Sequence, residues 1–141
     1  SFVLVGPDTL ARSRLTARRN LHLLGPRPFA ALPPYLHNAD VGLIPFDVRG
    51  FPEAVNAVHP LKLYEYLACG LPVVATRWEE LDLLGSPATL CDGIEDFVAG
   101  ITTAIDSPPD PSLGIEYARQ ADWGGRVRLL LDAVGVRGGE R

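Results

Sequence analysis

The sequence predicts an α/β domain built on a parallel sheet flanked by helices. Three observations carry that reading. Short apolar runs, β-branched in part and bounded by Gly or Pro, recur along the chain, as they do in strands buried on both faces. Segments with helical spacing alternate with these runs, which is the pattern of parallel strands joined by crossover helices. Between two of the runs, Pro60 and Gly70 bracket a stretch with both a helix start and a helix stop.

Taken in order, residues 2–5 form the first expected strand, stopped by Gly6-Pro7. Residues 21–24 form the second, stopped by Gly25-Pro26. Residues 29–38 read as a helix with Leu32 and Leu36 four apart, despite Pro33-Pro34 near its start. Residues 41–44 are the third strand, ended by Pro45. A short helix follows over residues 60–69, with Pro60 at its first position. Residues 72–75 are the fourth strand, leading to Thr76-Arg77, and residues 88–91 a weaker fifth. Residues 94–105 read as a helix presenting Phe97, Ile101 and Ile105 on one face. After the breaker Pro108-Pro109, residues 117–134 close the chain as a helix interrupted near Gly124-Gly125. One domain is therefore expected over 1–134, with a frayed tail over 135–141.

Composition bounds the function. The chain has 141 residues, 47% of them hydrophobic, enough for one domain with its own core. No apolar run reaches the 18 or more residues that a membrane span needs. The formal net charge of −4 argues against nucleic acid as a partner. Metal ligation is not expected, because HExxH, CxxC and clustered Asp are all absent. GxGxxG and the P-loop pattern are absent too. Cys69 and Cys91 stand in no metal-like spacing, and two reduced thiols are expected, as in a cytoplasmic protein. Five Arg (Arg12, Arg14, Arg18, Arg19 and Arg27) fall in a stretch with no acid, readable as a solvated loop or as an anion-facing surface. With no Met even at position 1, the chain is expected to be part of something longer or a processed product.

Ligands of parallel α/β sheets sit beyond the carboxyl ends of the strands. That rule directs attention to the helix after Pro60. Leu63, Tyr66 and Leu67 share the face that can pack on a sheet, while Lys62, Glu65 and Cys69 share another. Lys62, the only Lys in the chain, lies in the first turn, where the helix dipole disfavours a cation by about 0.3–1 kcal/mol. A bound anion would remove that conflict, and Glu65 one turn on could accept hydrogen bonds from a sugar diol. The same spacing also fits a simple Lys62–Glu65 surface pair of small value. His59 suits either a cap or a phosphate contact. His22 and His37 read as core or surface residues, Trp78 and Trp123 as packing residues, and Arg77 as a partner for Glu79 and Glu80.

The run Lys62-Leu63-Tyr64-Glu65-Tyr66-Leu67-Ala68-Cys69-Gly70-Leu71-Pro72-Val73-Val74-Ala75-Thr76 resembles the donor-site segment of group 1 glycosyltransferases of the GT-B fold. Upstream, Asn20-Leu21-His22-Leu23-Leu24-Gly25 and the stretch from Leu32 to Val41 are similar to a second landmark of that family. Downstream, Ala121-Asp122-Trp123 resembles its closing helix start. The similarity runs over about residues 2 to 134. It implies a Rossmann-like, C-terminal half of a GT-B fold, truncated at its N-terminus. It further implies a nucleoside-diphospho-sugar as donor substrate, UDP- or GDP-linked, with no cofactor. Glu65 would bind the ribose, and Lys62 with the amides around it, Leu61 included, the diphosphate. The turn Gly25-Pro26-Arg27 would read the base, and His59 and Asn56 would line the donor site. Residues 45–60 would form the loop near the transferred sugar. No catalytic residue is assigned.

Two departures from the family pattern stand out. Ala57 occupies the place, eight residues before Glu65, where these enzymes often have a second Glu. A strand and helix expected before Phe2, and the acceptor domain, are not in the sequence. The first strand here would then be the second of its parent domain, and the acceptor domain of the same parent chain becomes an expected partner. Expected localisation is cytoplasmic, with the basic stretch touching an anionic membrane surface at the inner face. Rival readings are an epimerase of the same architecture, a degenerate binding module and a phospho-receiver domain. The last lacks an acidic cluster at the first strand's end, where Asp8 stands alone.

Overall fold

The structure, a computed structural model, describes residues 1–7, 15 and 18–135. The chain divides into two compact units, Ser1–Tyr35 and Leu36–Arg141. In the first, β1 (Phe2–Val5) pairs in parallel with β2 (Leu21–Gly25), Phe2 opposite Leu21 and Leu4 opposite Leu23. Gly25 takes φ +71, a left-handed turn out of β2 that a side chain would oppose. The helix expected over 29–38 is instead a 3-10 turn (Phe29–Ala31) followed by α1 (Pro33–His37). Proline has no N–H to give and fits only a first turn, so the α-helix begins at Pro33.

The second unit holds β3 (Gly42–Ile44), β4 (Val73–Thr76) and β5 (Thr89–Cys91), all parallel in the order β3-β4-β5. The central β4 is covered on both faces, with Val74 and Ala75 fully buried, so its unbroken apolar sequence follows from its place. On one face Val73 and Ala75 join Ile44, Trp78 and Leu81 in the main core. On the other, Val74 meets Cys91 and Ala104.

α2 (Pro52–Asn56) lies within the segment 45–60, which the sequence suggested as a loop. α3 (Leu61–Ala68) then packs on the sheet through Leu63 and Leu67, which are 0% and 2% exposed. Burying two leucines contributes about 1.5–3 kcal/mol each. Pro60 caps α3 rather than opening it. At its other end Gly70, at φ +75, lets the Leu71 N–H reach the Tyr66 carbonyl at 3.1 Å and its own N–H reach Leu67 at 2.9 Å. Those two bonds close the last turn and release the chain into β4.

α4 (Glu79–Leu83) follows β4, and α5 (Ile94–Asp106) covers the opposite sheet face. Its buried line runs through Gly100 and Ala104, with Phe97 and Ile101 beside it, while Ile105 is exposed. At 3.6 residues per turn Ala104 returns to the azimuth of Phe97 within about 20°, and Ile105 is turned away by about 80°. The last helical stretch is two helices, α6 (Pro111–Gln120) and α7 (Trp123–Ala133). The break falls at Ala121-Asp122, not at the glycines. Asp122 accepts from the Gly125 N–H and caps α7, so both glycines sit in its first turn. Asp110 caps α6 the same way, accepting from Ser112 N–H at 2.9 Å, and those bonds lower its carboxyl pKa. Residues 136–141, most of the expected frayed tail, lie outside the described residues.

Candidate functional site

The carboxyl ends of β3 and β4 are sealed before the helices begin. Thr76 Oγ1 donates to the Phe46 carbonyl at 3.0 Å, tying the exit of β4 to the exit of β3. The Trp78 ring stacks on Phe46 at 5.1 Å. Trp78 is buried, so its indole N–H needs a partner. It finds the Val58 carbonyl at 3.1 Å. The neighbouring contacts repeat this pairing. Asn56 Oδ1 accepts from the Glu79 N–H at 3.4 Å, and His59 Nδ1 lies 2.9 Å from Glu80 Oε1. Three contacts thus clamp residues 56–59 onto residues 78–80 and fix the lead-in to α3.

At the start of α3 no side chain caps the first turn and no acid stands in it. α4 and α5, by contrast, have Glu79, Glu80 and Asp82, and Glu95 and Asp96, in theirs. Leu61 and Lys62 are exposed and Glu65 is half-buried. Among the described residues neither Lys62 nor Glu65 makes a side-chain hydrogen bond or ion pair, so the surface pair that the spacing allowed is not formed. Glu65 still acts on its neighbours. Burial first, and its charge second, push the Tyr66 hydroxyl and the Cys69 thiol above their ordinary pKa values.

The second unit therefore gathers Asn56, His59, Leu61, Lys62 and Glu65 around one helix start. Gly25 and Arg27 belong to the first unit. There Arg27 is exposed and donates to the Pro26 carbonyl at 3.0 Å and to the Tyr35 hydroxyl at 3.4 Å. Of the basic stretch, Arg18 and Arg19 are also exposed, and Arg12 and Arg14 lie outside the described residues.

Two expectations are corrected. Arg77 pairs with Asp82 and with Asp92 (3.0 Å), not with Glu79 or Glu80, because the Cys91 carbonyl accepts its backbone N–H and turns it toward the exit of β5. Trp123 does not pack: it is 82% exposed, on a helix with no buried residue. Trp78 packs as expected. Cys69 and Cys91 are both free thiols.

Sequence reasoning missed the surroundings of His59. Its ring stacks on Tyr64, and Tyr64 on Tyr117, with centroids 5.5 and 5.9 Å apart. The Tyr64 hydroxyl lies 3.2 Å from His59 Nε2, and an Arg126 guanidinium nitrogen 3.5 Å from the same atom. Arg126 also sits over the Tyr64 ring at 5.6 Å. Burial pushes the Tyr117 hydroxyl up to about 12, and that hydroxyl donates to the Leu84 carbonyl at 2.9 Å. Glu80 and Arg126 stand 21 and 67 residues from His59 in sequence, and no spacing rule connects them.

A family model described as group 1 glycosyl transferases matches residues 1–107, well over half of the chain. The chain belongs to the group 1 glycosyl transferases. The matched stretch contains all seven residues expected at the donor site and stops before α6 and α7, hence before Tyr117 and Arg126. The chain is 27% identical to the Bacillus subtilis (strain 168) protein named "Putative teichuronic acid biosynthesis glycosyltransferase TuaH", a similarity that covers 97% of it. It spans 36% of that relative's length. No solved structure matches it. Among the described residues, no helix is long and apolar enough to cross a membrane.

Proposed function

We propose that this chain binds the donor of a glycosyl transfer, a nucleoside-diphospho-sugar, and that the acceptor is held by another part of the parent protein. The observation that carries the reading is the start of α3. It is uncapped by any side chain, free of acids, and bears a Lys62 and a Glu65 without partners among the described residues. This helix start also lies inside the family match. Free N–H groups, the positive dipole end and one ammonium suit a diphosphate. Glu65, one turn deeper, suits the ribose diol. Asn56 and His59 flank the same helix start.

The reaction follows from this assignment. As the bond between the sugar and the diphosphate breaks, negative charge grows on the leaving oxygen. Lys62 and the oriented amides at Leu61 and Lys62 stabilise that charge, with no metal required. The sugar passes to an acceptor hydroxyl, and the nucleoside diphosphate is released. The relative's name supports placing this transfer in polysaccharide biosynthesis. The chain alone, without an acceptor site, is expected to bind donor and turn nothing over.

The test is a titration of the chain with UDP, GDP, ADP and inorganic pyrophosphate, followed by NMR chemical shifts. One nucleoside diphosphate should shift the resonances of Lys62 and Glu65 well beyond the effect of pyrophosphate. If a folded sample responds to none of them, the donor reading is wrong for this chain.

A further inference from the structure

The cluster around His59 joins four helices through one imidazole. His59 precedes α3, Tyr64 belongs to α3, Glu80 to α4 and Arg126 to α7, with Tyr117 of α6 stacked behind Tyr64. His59 and Glu80 are each about two-thirds buried, at 34% and 36% side-chain exposure. The ring is therefore held in place rather than swinging in solvent.

The two ring edges face opposite chemistry. Nδ1 lies 2.9 Å from a Glu80 carboxylate oxygen, which can only accept. Nε2 lies 3.5 Å from an Arg126 nitrogen, which can only donate, and 3.2 Å from the Tyr64 hydroxyl. A proton on Nε2 would point at the guanidinium and leave the Nδ1 lone pair against the carboxylate. A proton on both nitrogens would again set one N–H against Arg126. Only the form with its single proton on Nδ1 sets neither an N–H against Arg126 nor a lone pair against the carboxylate, and the hydrogen bond at one ring nitrogen is what selects the tautomer of the other.

We propose that Glu80 is a positioning residue for the donor site: it holds His59 as the Nδ1–H tautomer, so that the Nε2 lone pair faces the Tyr64 hydroxyl and the Arg126 guanidinium beside the start of α3. The consequence for binding rests on the donor-site reading above. Arg126 makes no ion pair with an acid among the described residues. The imidazole and the Tyr64 ring hold it in place, with a bond from its Nε to the Ala121 carbonyl at 3.1 Å. Without Glu80 the ring is free to take the other tautomer, Nε2 stops accepting, and α7 loses its tie to His59.

The test reads the ring directly. The chain has three histidines, so the ¹⁵N imidazole signals of His59 are assigned by comparison with His59→Gln. In mildly alkaline buffer the folded chain should show a protonated Nδ1 and an unprotonated Nε2. Glu80→Ala should lose that pattern, and Glu80→Gln should keep it, because an amide oxygen still accepts from Nδ1–H. A protonated Nε2 in the unmodified chain, or an unchanged pattern in Glu80→Ala, overturns the proposal.

Titration with UDP and GDP forms the second arm. Glu80→Ala should weaken binding about tenfold, the size of one hydrogen bond to a charged group, with Glu80→Gln near the unmodified chain. Equal affinity in Glu80→Ala overturns the link to the site. If the unmodified chain binds neither nucleotide, the donor reading falls, and the tautomer measurement still decides the role of Glu80.

Discussion

Replacing Gly42 by Ala tests how tightly α3 is held against the sheet. Gly42 opens β3 opposite Val73 and is buried. A Cβ built there would lie 2.4 Å from Tyr66 Cδ2, 2.7 Å from Cγ and 3.1 Å from the Tyr66 Cβ. Turning the tyrosine ring relieves the first two contacts but not the third, since Cβ moves only with the helix backbone. α3 must therefore shift by a few tenths of an ångström, against Leu63 and Leu67, which are fully packed. Overpacking of this kind costs about 1–3 kcal/mol. The smaller unfolded-state entropy of Ala returns about 0.4–1 kcal/mol, so a net loss of about 1–2 kcal/mol is expected. The assay is urea unfolding, with the midpoint lowered and the slope unchanged. Gly114→Ala is the control. Its Cβ meets Leu67 Cδ2 at 2.9 Å, with the next contacts at 3.5 Å. A terminal methyl can rotate away, and Ala is favoured over Gly inside a helix by about 1 kcal/mol. Gly114→Ala should therefore fall within about 1 kcal/mol of the unmodified chain. A Gly42→Ala chain as stable as the original, or one no worse than Gly114→Ala, would refute the claim that α3 has no freedom to move.

Lys62→Ala and Glu65→Gln should each weaken nucleoside diphosphate binding about tenfold, by calorimetric titration. Each should change unfolding free energy by no more than about 0.5 kcal/mol, because neither side chain has a partner to lose among the described residues. Trp78→Phe removes the N–H that serves the Val58 carbonyl and should cost about 1–3 kcal/mol, with weaker nucleotide binding because His59 follows directly. Stability should also fall in alkali. The Tyr117 hydroxyl titrates near 10.0 when unfolded and about 12 when folded. Between those values the unfolded chain has given up a proton that the folded chain keeps. The contribution is thus intact below pH 10.0 and lost progressively toward about 12. Chemical unfolding followed across that window should show the decline, and Tyr117→Phe should make it shallower without removing it, because the Tyr66 hydroxyl is raised too.

Much of the second unit was legible because its signals are local. β4 reads as a strand because Val73, Val74 and Ala75 form an unbroken apolar run, and burial on both sheet faces is the physical reason for such a run. The end of α3 was legible because a positive φ just past a helix calls for Gly. The two final helices were misread for the converse reason. Gly124-Gly125 looked like the break, yet the deciding groups were the carboxylates of Asp110 and Asp122, each placed to accept backbone N–H groups of a new helix. Trp123 was expected to pack because it is large and apolar, but sequence carries no record of what stands opposite a helix face. At the candidate site the residues of α3 were found from their shared helical face. Glu80, Tyr117 and Arg126 were not, since the fold alone brings them to the neighbourhood of His59.

These particulars divide α3 into two kinds of surface. Leu63 and Leu67 secure the helix to the sheet, and Tyr66 fills the space that Gly42 leaves open. Lys62 and Glu65 contribute to neither task. The lead-in to α3 is held from outside the helix, through Asn56, Val58 and His59 on residues 78–80. Substitutions on the outward face should therefore change ligand response with little effect on folding. Substitutions in the clamp should change both, because the same contacts that stabilise the exits of β3 and β4 also aim the first turn of α3. A clamp variant that lost binding at full stability, or an outward-face variant that unfolded the chain, would show that the two surfaces are not separable in this way.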